Sequence, residues 1–209
     1  MLSAAKILPP LRLRPYLTAL VVALMAPMLS ACGINAIPTY QEQARAAWSQ
    51  VENQYQRRAD LIPNLIETVK GFAAQEREVL TAVVEARAKA TQITVDADQL
   101  SDPAMVQKFQ AAQDQLGGAL SRLLATVEAY PDLKSNQNFL ALQSQLEGTE
   151  NRISVARRDY IEAVRVYNTE LRTIPGRWIA SFFYPEAQPM EPFTATAGSA
   201  TPPKVDFGQ

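Results

Sequence analysis

Glu76, Glu128 and Glu150 are the carboxylates whose sequence surroundings suggest chemistry. Arg58 and Glu76 fall on the same apolar stripe as Tyr55, Ile62, Val69 and Val79, and Glu150 and Asn151 stand beside an inward face between Leu146 and Ile153. Charged side chains turned toward a helical core have two readings. Buried carboxylates at the right separation can serve as general acid and base, which would make a carboxylate-dependent hydrolase acting through Glu76, Glu128 or Glu150. Alternatively, Arg58, Glu76, Glu150 and Asn151 form a charge-paired network that fixes helix register. The structural network is preferred, because perturbed ionisable clusters also occur without catalysis. Lys134-Ser135 has the composition of a base and a nucleophile, but neighbouring helical side chains diverge. No catalytic residue is therefore assigned.

Composition narrows the chemistry further. The 209 residues include no histidine and one cysteine, Cys32. Metal, haem and iron–sulfur centres built on His or Cys are excluded, as are Ser-His-Asp and Cys-His nucleophile systems. No intrachain disulfide can form, and no cofactor is expected. Lys6, Arg12 and Arg14 are the only charges in residues 1–31, so the net charge of -1 becomes about -4 once that segment is set aside. A nucleic-acid partner would require a basic face, and none is visible.

Those first residues have a form of their own. Basic positions precede an uncharged apolar stretch from about Leu17 to Leu29, closed by the small residues Ser30 and Ala31. This is the three-part form of a secretory signal, and the stretch falls short of the roughly 20 residues of a membrane-spanning helix. Leu29-Ser30-Ala31-Cys32 resembles the lipobox of bacterial lipoproteins. That resemblance implies lipid attachment at Cys32 after removal of residues 1–31. The expected partner is then a membrane held through this lipid, with the protein on the extracytoplasmic side. In a cell with two membranes, Gly33 after the cysteine points to the periplasmic face of the outer one.

The elements that must position the candidate residues are helices. Residues 32–38 read as the lipidated cysteine and a short spacer, and 39–184 as one helical body. Ala44, Trp48, Val51, Tyr55, Ile62, Leu65, Val69, Phe72, Val79 and Val83 recur at steps of three and four, the signature of one helix face. Pro63 lies within this run, which predicts a single long helix kinked there. Asp102-Pro103 reads as an N-cap and first helical residue, followed by a stripe from Met105 to Val127. Gly117-Gly118 inside that stripe suggests close approach of a neighbouring helix. A further helix spans about 135–173, ending at Pro175-Gly176, and the aromatic segment Trp178–Tyr184 is expected to pack over the bundle end, with an exposed partner-docking patch as the alternative. Residues 185–209, rich in proline, read as a flexible tail. The expected fold is all-α: an antiparallel bundle of three long helices plus a short C-terminal one.

Several segments carry a family resemblance. They are Arg57-Arg58-Ala59-Asp60-Leu61-Ile62-Pro63-Asn64-Leu65, Val69-Lys70-Gly71-Phe72, Glu85-Ala86-Arg87-Ala88 and Glu128-Ala129-Tyr130-Pro131-Asp132-Leu133-Lys134. Glu150-Asn151-Arg152-Ile153, Ala156-Arg157 and Val166-Tyr167-Asn168 complete the set. In this order, from about Tyr40 to Tyr184, the chain resembles the LemA family. The resemblance implies a membrane-attached or extracytoplasmic helical bundle without an established reaction. Family members typically carry an N-terminal transmembrane helix, and the lipobox here departs from that. The expected role is a non-enzymatic scaffold or adaptor toward an envelope protein. A hydrolase acting on envelope material and a bundle binding a small ligand or lipid are the alternatives.

Overall fold

The computed structural model describes residues 33–194; residues 1–32, with Cys32 and the signal segment, and 195–209 lie outside them. The elements are α1 (Ala36–Lys70), α2 (Arg77–Gln92), a 3-10 turn (Ala97–Ser101), α3 (Pro103–Val127), the single turn α4 (Pro131–Lys134), α5 (Gln137–Arg172) and α6 (Gly176–Phe183). No strand occurs among the described residues. The all-α expectation holds, but the number of long helices does not.

The run expected as one helix kinked at Pro63 is two helices. The chain stays helical through Pro63 and breaks at residues 71–76, where the Gly71 N–H closes α1 on the Glu67 carbonyl and the Phe72 and Ala73 N–H groups reach the Val69 carbonyl. Two features let Pro63 sit inside a helix. Its ring is on the exposed face, and the carbonyl it leaves without a helical donor, that of Ala59, accepts from Arg87 Nε at 2.8 Å. A neighbouring helix thus supplies the hydrogen bond that proline cannot. Asp102 caps α3 as expected, accepting from the Ala104 N–H at 2.9 Å with Pro103 in the first turn. Asn136 does the same for α5, accepting from Asn138 and Phe139.

α1 packs against α5 and α2 against α3. Partners along α1 and α5 run in opposite order, with Arg58 meeting Glu150 and Trp48 meeting Tyr160. The core falls into two clusters. One holds Trp48, Tyr55, Phe109, Tyr160, Tyr167 and Phe193, near the start of α1 and the end of α5. The other holds Ile62, Leu65, Val69, Val83, Leu116, Leu123, Leu133 and Leu146, toward the opposite end. Between them, Arg58, Gln113 and Thr149 are buried.

Three further expectations need correction. The residues assigned as spacer already belong to the body: α1 begins at Ala36, and Ile37 is buried in the aromatic core. Residues 185–194 are not a free tail. Met190 and Phe193 are buried; Asn168 pairs with the Met190 backbone in both directions at 2.8 and 2.9 Å. Gln110 does the same at Thr194, and the Glu191 N–H reaches the Leu100 carbonyl at 2.8 Å. These residues form a strap laid back along α5. Finally, Gly117-Gly118 does not mark a close helix approach. A Cβ at Gly118 would meet nothing within 4 Å, and one at Gly117 only Arg58 Nη1 at 3.9 Å.

Candidate functional site: a polar layer across the bundle

Arg58 is the centre of the layer. Its place on the apolar stripe of α1 turns it inward, and it is 3% exposed. A guanidinium there requires partners on the facing helices. Nη1 donates to Glu150 Oε1 at 3.1 Å and Oε2 at 3.4 Å, from α5. Nη2 donates to the Gln113 side-chain oxygen at 2.7 Å and to its backbone carbonyl at 3.1 Å, from α3. Gln113 in turn donates through Nε2 to the Ala90 carbonyl at 3.2 Å, which brings in α2. All four long helices therefore meet in one hydrogen-bonded layer. The guanidinium also stands 4.9 Å over the Tyr55 ring, a favourable cation–π placement.

The layer opens to solvent on one side through a cleft of about 330 Å³ lined by Tyr55, Arg58, Gln113, Asp114, Glu150 and Arg157, among others. Glu150 keeps 43% of its side chain exposed. Asp114 lies 3.7 Å from Arg157, whose guanidinium stacks 4.7 Å over Phe193 of the strap. Each carboxylate of the cleft thus faces a guanidinium. Nearby, burial pushes the Tyr55 phenol up from its ordinary value, against the opposing pull of the Arg157 and Arg58 charges.

The four residues expected to form one network do not all meet. Arg58 and Glu150 do. Glu76 does not: once the first helix breaks at 71–76, its phase relative to Arg58 is lost. It precedes α2 at the opposite end of the bundle, where it accepts from the Tyr130 hydroxyl at 2.6 Å. That carboxylate also raises the Tyr130 phenol by accepting its proton in the hydrogen bond. Asn151 is exposed and lines a surface groove between α1 and α5 with Gln50, Gln54 and Arg152. Glu128 pairs with Lys134 across the turn between α3 and α4. Glu76 and Glu128 thus stand away from the Arg58 cleft, and Glu150 there is engaged by Arg58. Gln113 and Asp114 were not singled out from the sequence, and Arg157 only as part of the family-resembling Ala156-Arg157. Gln113 carried a usable signal, a polar side chain spaced between Phe109 and Leu116 on the inward stripe.

Among the described residues, no group of three or more His, Cys, Asp or Glu side chains is placed to hold a metal ion. Fold and layer together define an all-α bundle braced by an internal arginine. The chain matches the model of the LemA family over residues 47–207 and belongs to that family. Among curated relatives, it is 28% identical to the magnetosome proteins MamQ 1 and MamQ 2 of Paramagnetospirillum magneticum, over 77% of this chain and 64% of each of theirs. It is 24% identical to the protein LemA of Metamycoplasma hominis, over 66% of this chain and 59% of that protein. The chain thus spans less than two thirds of the length of these relatives.

Proposed function

We propose that this protein is a membrane-tethered lipoprotein of the LemA type, an antiparallel bundle that acts as a non-enzymatic scaffold or adaptor in the cell envelope. Lipid on Cys32 holds it, and its partner is an envelope protein that engages the long helical surfaces. One observation carries the tethering: Gly33, the residue directly after Cys32, lies against Ile179 of α6 at the aromatic end of the bundle. An anchor on that cysteine would hold the aromatic end of the bundle at the bilayer. α1 and α5, of 35 and 36 residues, would project about 50 Å from it. The engagement of Glu150 by Arg58 supports a bracing role for the charged layer.

Intact mass of the protein extracted from membranes, beside a Cys32→Ala variant, tests the anchor. An acylated N-terminus at Cys32 is expected in the first and absent from the second. Unmodified Cys32 with residues 1–31 still attached would overturn the lipoprotein reading. The scaffold reading falls if a specific turnover is found that Glu150→Gln abolishes.

A further inference from the structure

α6 leaves its apolar face uncovered. Trp178 is 59% exposed, Phe182 82% and Phe183 62%, with Ile174 just before the helix at 64%. The expected packing of these aromatics over the bundle end is therefore not what the structure shows. Only Ile179, Ala180 and Tyr184 turn toward the aromatic core. Trp178 and Phe182, four residues apart in α6, share an outward stripe, and Ile174 is exposed in the turn just before it. The other exposed large apolar side chains among the described residues are more dispersed: Val84 stands on α2, and Leu140 and Val155 are about four turns apart on α5. A concentrated patch of this kind marks an interaction surface.

Three features identify what covers it. First, the helix that carries the patch adjoins, through its core-facing Ile179, the point where the chain continues toward its apolar segment. A Cβ on Gly33 would stand 3.2 Å from Ile179 Cδ1, and covalent geometry puts the Cα of Cys32 about 3.8 Å from that of Gly33. Second, the charge is right for anionic headgroups: Arg172 and Arg177 flank the stripe, and no acidic residue occurs from Leu171 to Pro185. This local sign opposes the negative balance of the chain. Third, residues 185–194, which follow α6, lead away from the patch. The strap runs from α6 back along α5, and Thr194 is already bonded to Gln110 of α3, near the polar layer.

We propose that α6 lies in the bilayer interface, with Ile174, Trp178, Phe182 and Phe183 seated at the boundary between headgroups and acyl chains and Arg172 and Arg177 among the phosphates. The occupant of the patch is a lipid surface. Tryptophan and phenylalanine on one side and arginine on the other are the composition such helices use. The proposal rests on the membrane-tethered reading and adds to it a second attachment point, which fixes the orientation of the bundle. Gly176 makes the corner possible. A Cβ there would lie 2.2 Å from the Glu170 carbonyl oxygen, so only glycine lets α6 fold back against the end of α5.

The chain contains two tryptophans, and Trp48 is buried in the core at 2% exposure, so each can report separately. Full-length protein extracted from membranes is reconstituted into phosphatidylethanolamine–phosphatidylglycerol vesicles with lipids brominated along the acyl chain. A Trp48→Phe variant isolates Trp178, and a Trp178→Phe variant isolates Trp48; the difference between wild type and the latter gives Trp178 even if the former fails to fold. Trp178 is expected to be quenched by lipids brominated near the headgroup, and to become severalfold less accessible to aqueous iodide when vesicles are present. Trp48 is expected to respond to neither. Phe182→Ser with Phe183→Ser should abolish the lipid quenching while the protein still sediments with vesicles. If Trp178 stays open to iodide on protein that does sediment with vesicles, the docking of α6 is overturned and the tether stands. If the protein does not sediment with vesicles, both fall. Shielding of Trp178 from iodide without vesicles would also overturn it, assigning the patch to a second copy or to the chain itself.

Discussion

The two ends of the bundle are filled by different means. The end near Gly33 is aromatic: Trp48 packs against Phe109, Tyr160 and Phe193 with ring centroids 5.1–5.5 Å apart, and its indole N–H donates to the Val95 carbonyl at 3.0 Å. Rings of this size need walls on every side, and the 3-10 turn and the strap supply them. The opposite end is mainly aliphatic, with Phe139 the buried aromatic of its cluster. Leucines and valines interleave there with Ala86, Ala90 and Ala119, and helices enclose them apart from Ala73 of the break at 71–76. Large side chains call for extra chain to cover them, whereas small ones let helices cover each other. The Arg58 layer divides the two ends, yet α1, α3 and α5 pass through it unbroken.

The largest effect should come from the aromatic end. Trp48→Ala is expected to cost roughly 3–5 kcal/mol and Leu123→Ala roughly 2–5 kcal/mol, read from urea denaturation. Because three helices cross the layer, Trp48 fluorescence and far-UV circular dichroism should give the same midpoint. Separate midpoints would show that the ends unfold independently. Next comes the layer: Arg58→Ala should cost about 3 kcal/mol, the lower part of the range for breaking a buried pair, because Glu150 can recover water through the cleft. Glu150→Ala should cost less than that, since Gln113 still receives the guanidinium. A larger loss from Glu150→Ala would mean that the carboxylate holds the layer together.

Arg87 is a sharper test on the aliphatic side. Arg87→Ala should lose about 1–3 kcal/mol by leaving the Ala59 carbonyl unsatisfied. In a Pro63→Ala background, where the backbone N–H returns, that loss should largely vanish in a double-mutant cycle. At the strap, the Tyr160 hydroxyl donates to the Glu191 carbonyl at 2.9 Å, so Tyr160→Phe should cost about 1 kcal/mol. Burial, and secondarily the Glu191 charge, push the Tyr160 phenol well above its ordinary value of 10.0. The native state therefore holds a proton that the unfolded chain releases. The stability this contributes is complete below about pH 10 and falls as pH rises above it, a slope that Tyr160→Phe should flatten. The smallest effect is expected from Glu76→Gln, at a partly exposed bond to Tyr130, as a shift in melting temperature below all of these.

Helix periodicity was the most readable part of the sequence, because burial recurs with the turn of the helix whatever the partner. Ala44 to Val69 and Phe109 to Val127 are inward where the spacing puts them. The break at 71–76 was hidden because Val79 and Val83 resume the stripe in phase by coincidence. Phe72, carried along by the same counting, is 43% exposed just after the cap. Glu76 was assigned to the core by that phase and left it with the break. Arg58 was legible as a charge on an apolar stripe. Gln113 was passed over because Ala112 offered an ordinary apolar alternative next to it. The strap left only Met190 and Phe193 as apolar marks among prolines and polar residues; the rest of its hold comes from backbone groups at Met190, Glu191 and Thr194, which leave no mark on residue type.

The strap also sets an order of events. Phe193 closes the ring cluster that Trp48 begins, and nearly the whole described chain lies between them. Leu65, Leu116 and Leu146 can find one another before the last helix turn has been made, but Trp48 must wait for the end of the chain. Contacts over such sequence distances are slow to form. In a chain that emerges from its N-terminus, the first residues delivered wait for the last to complete their own half of the molecule.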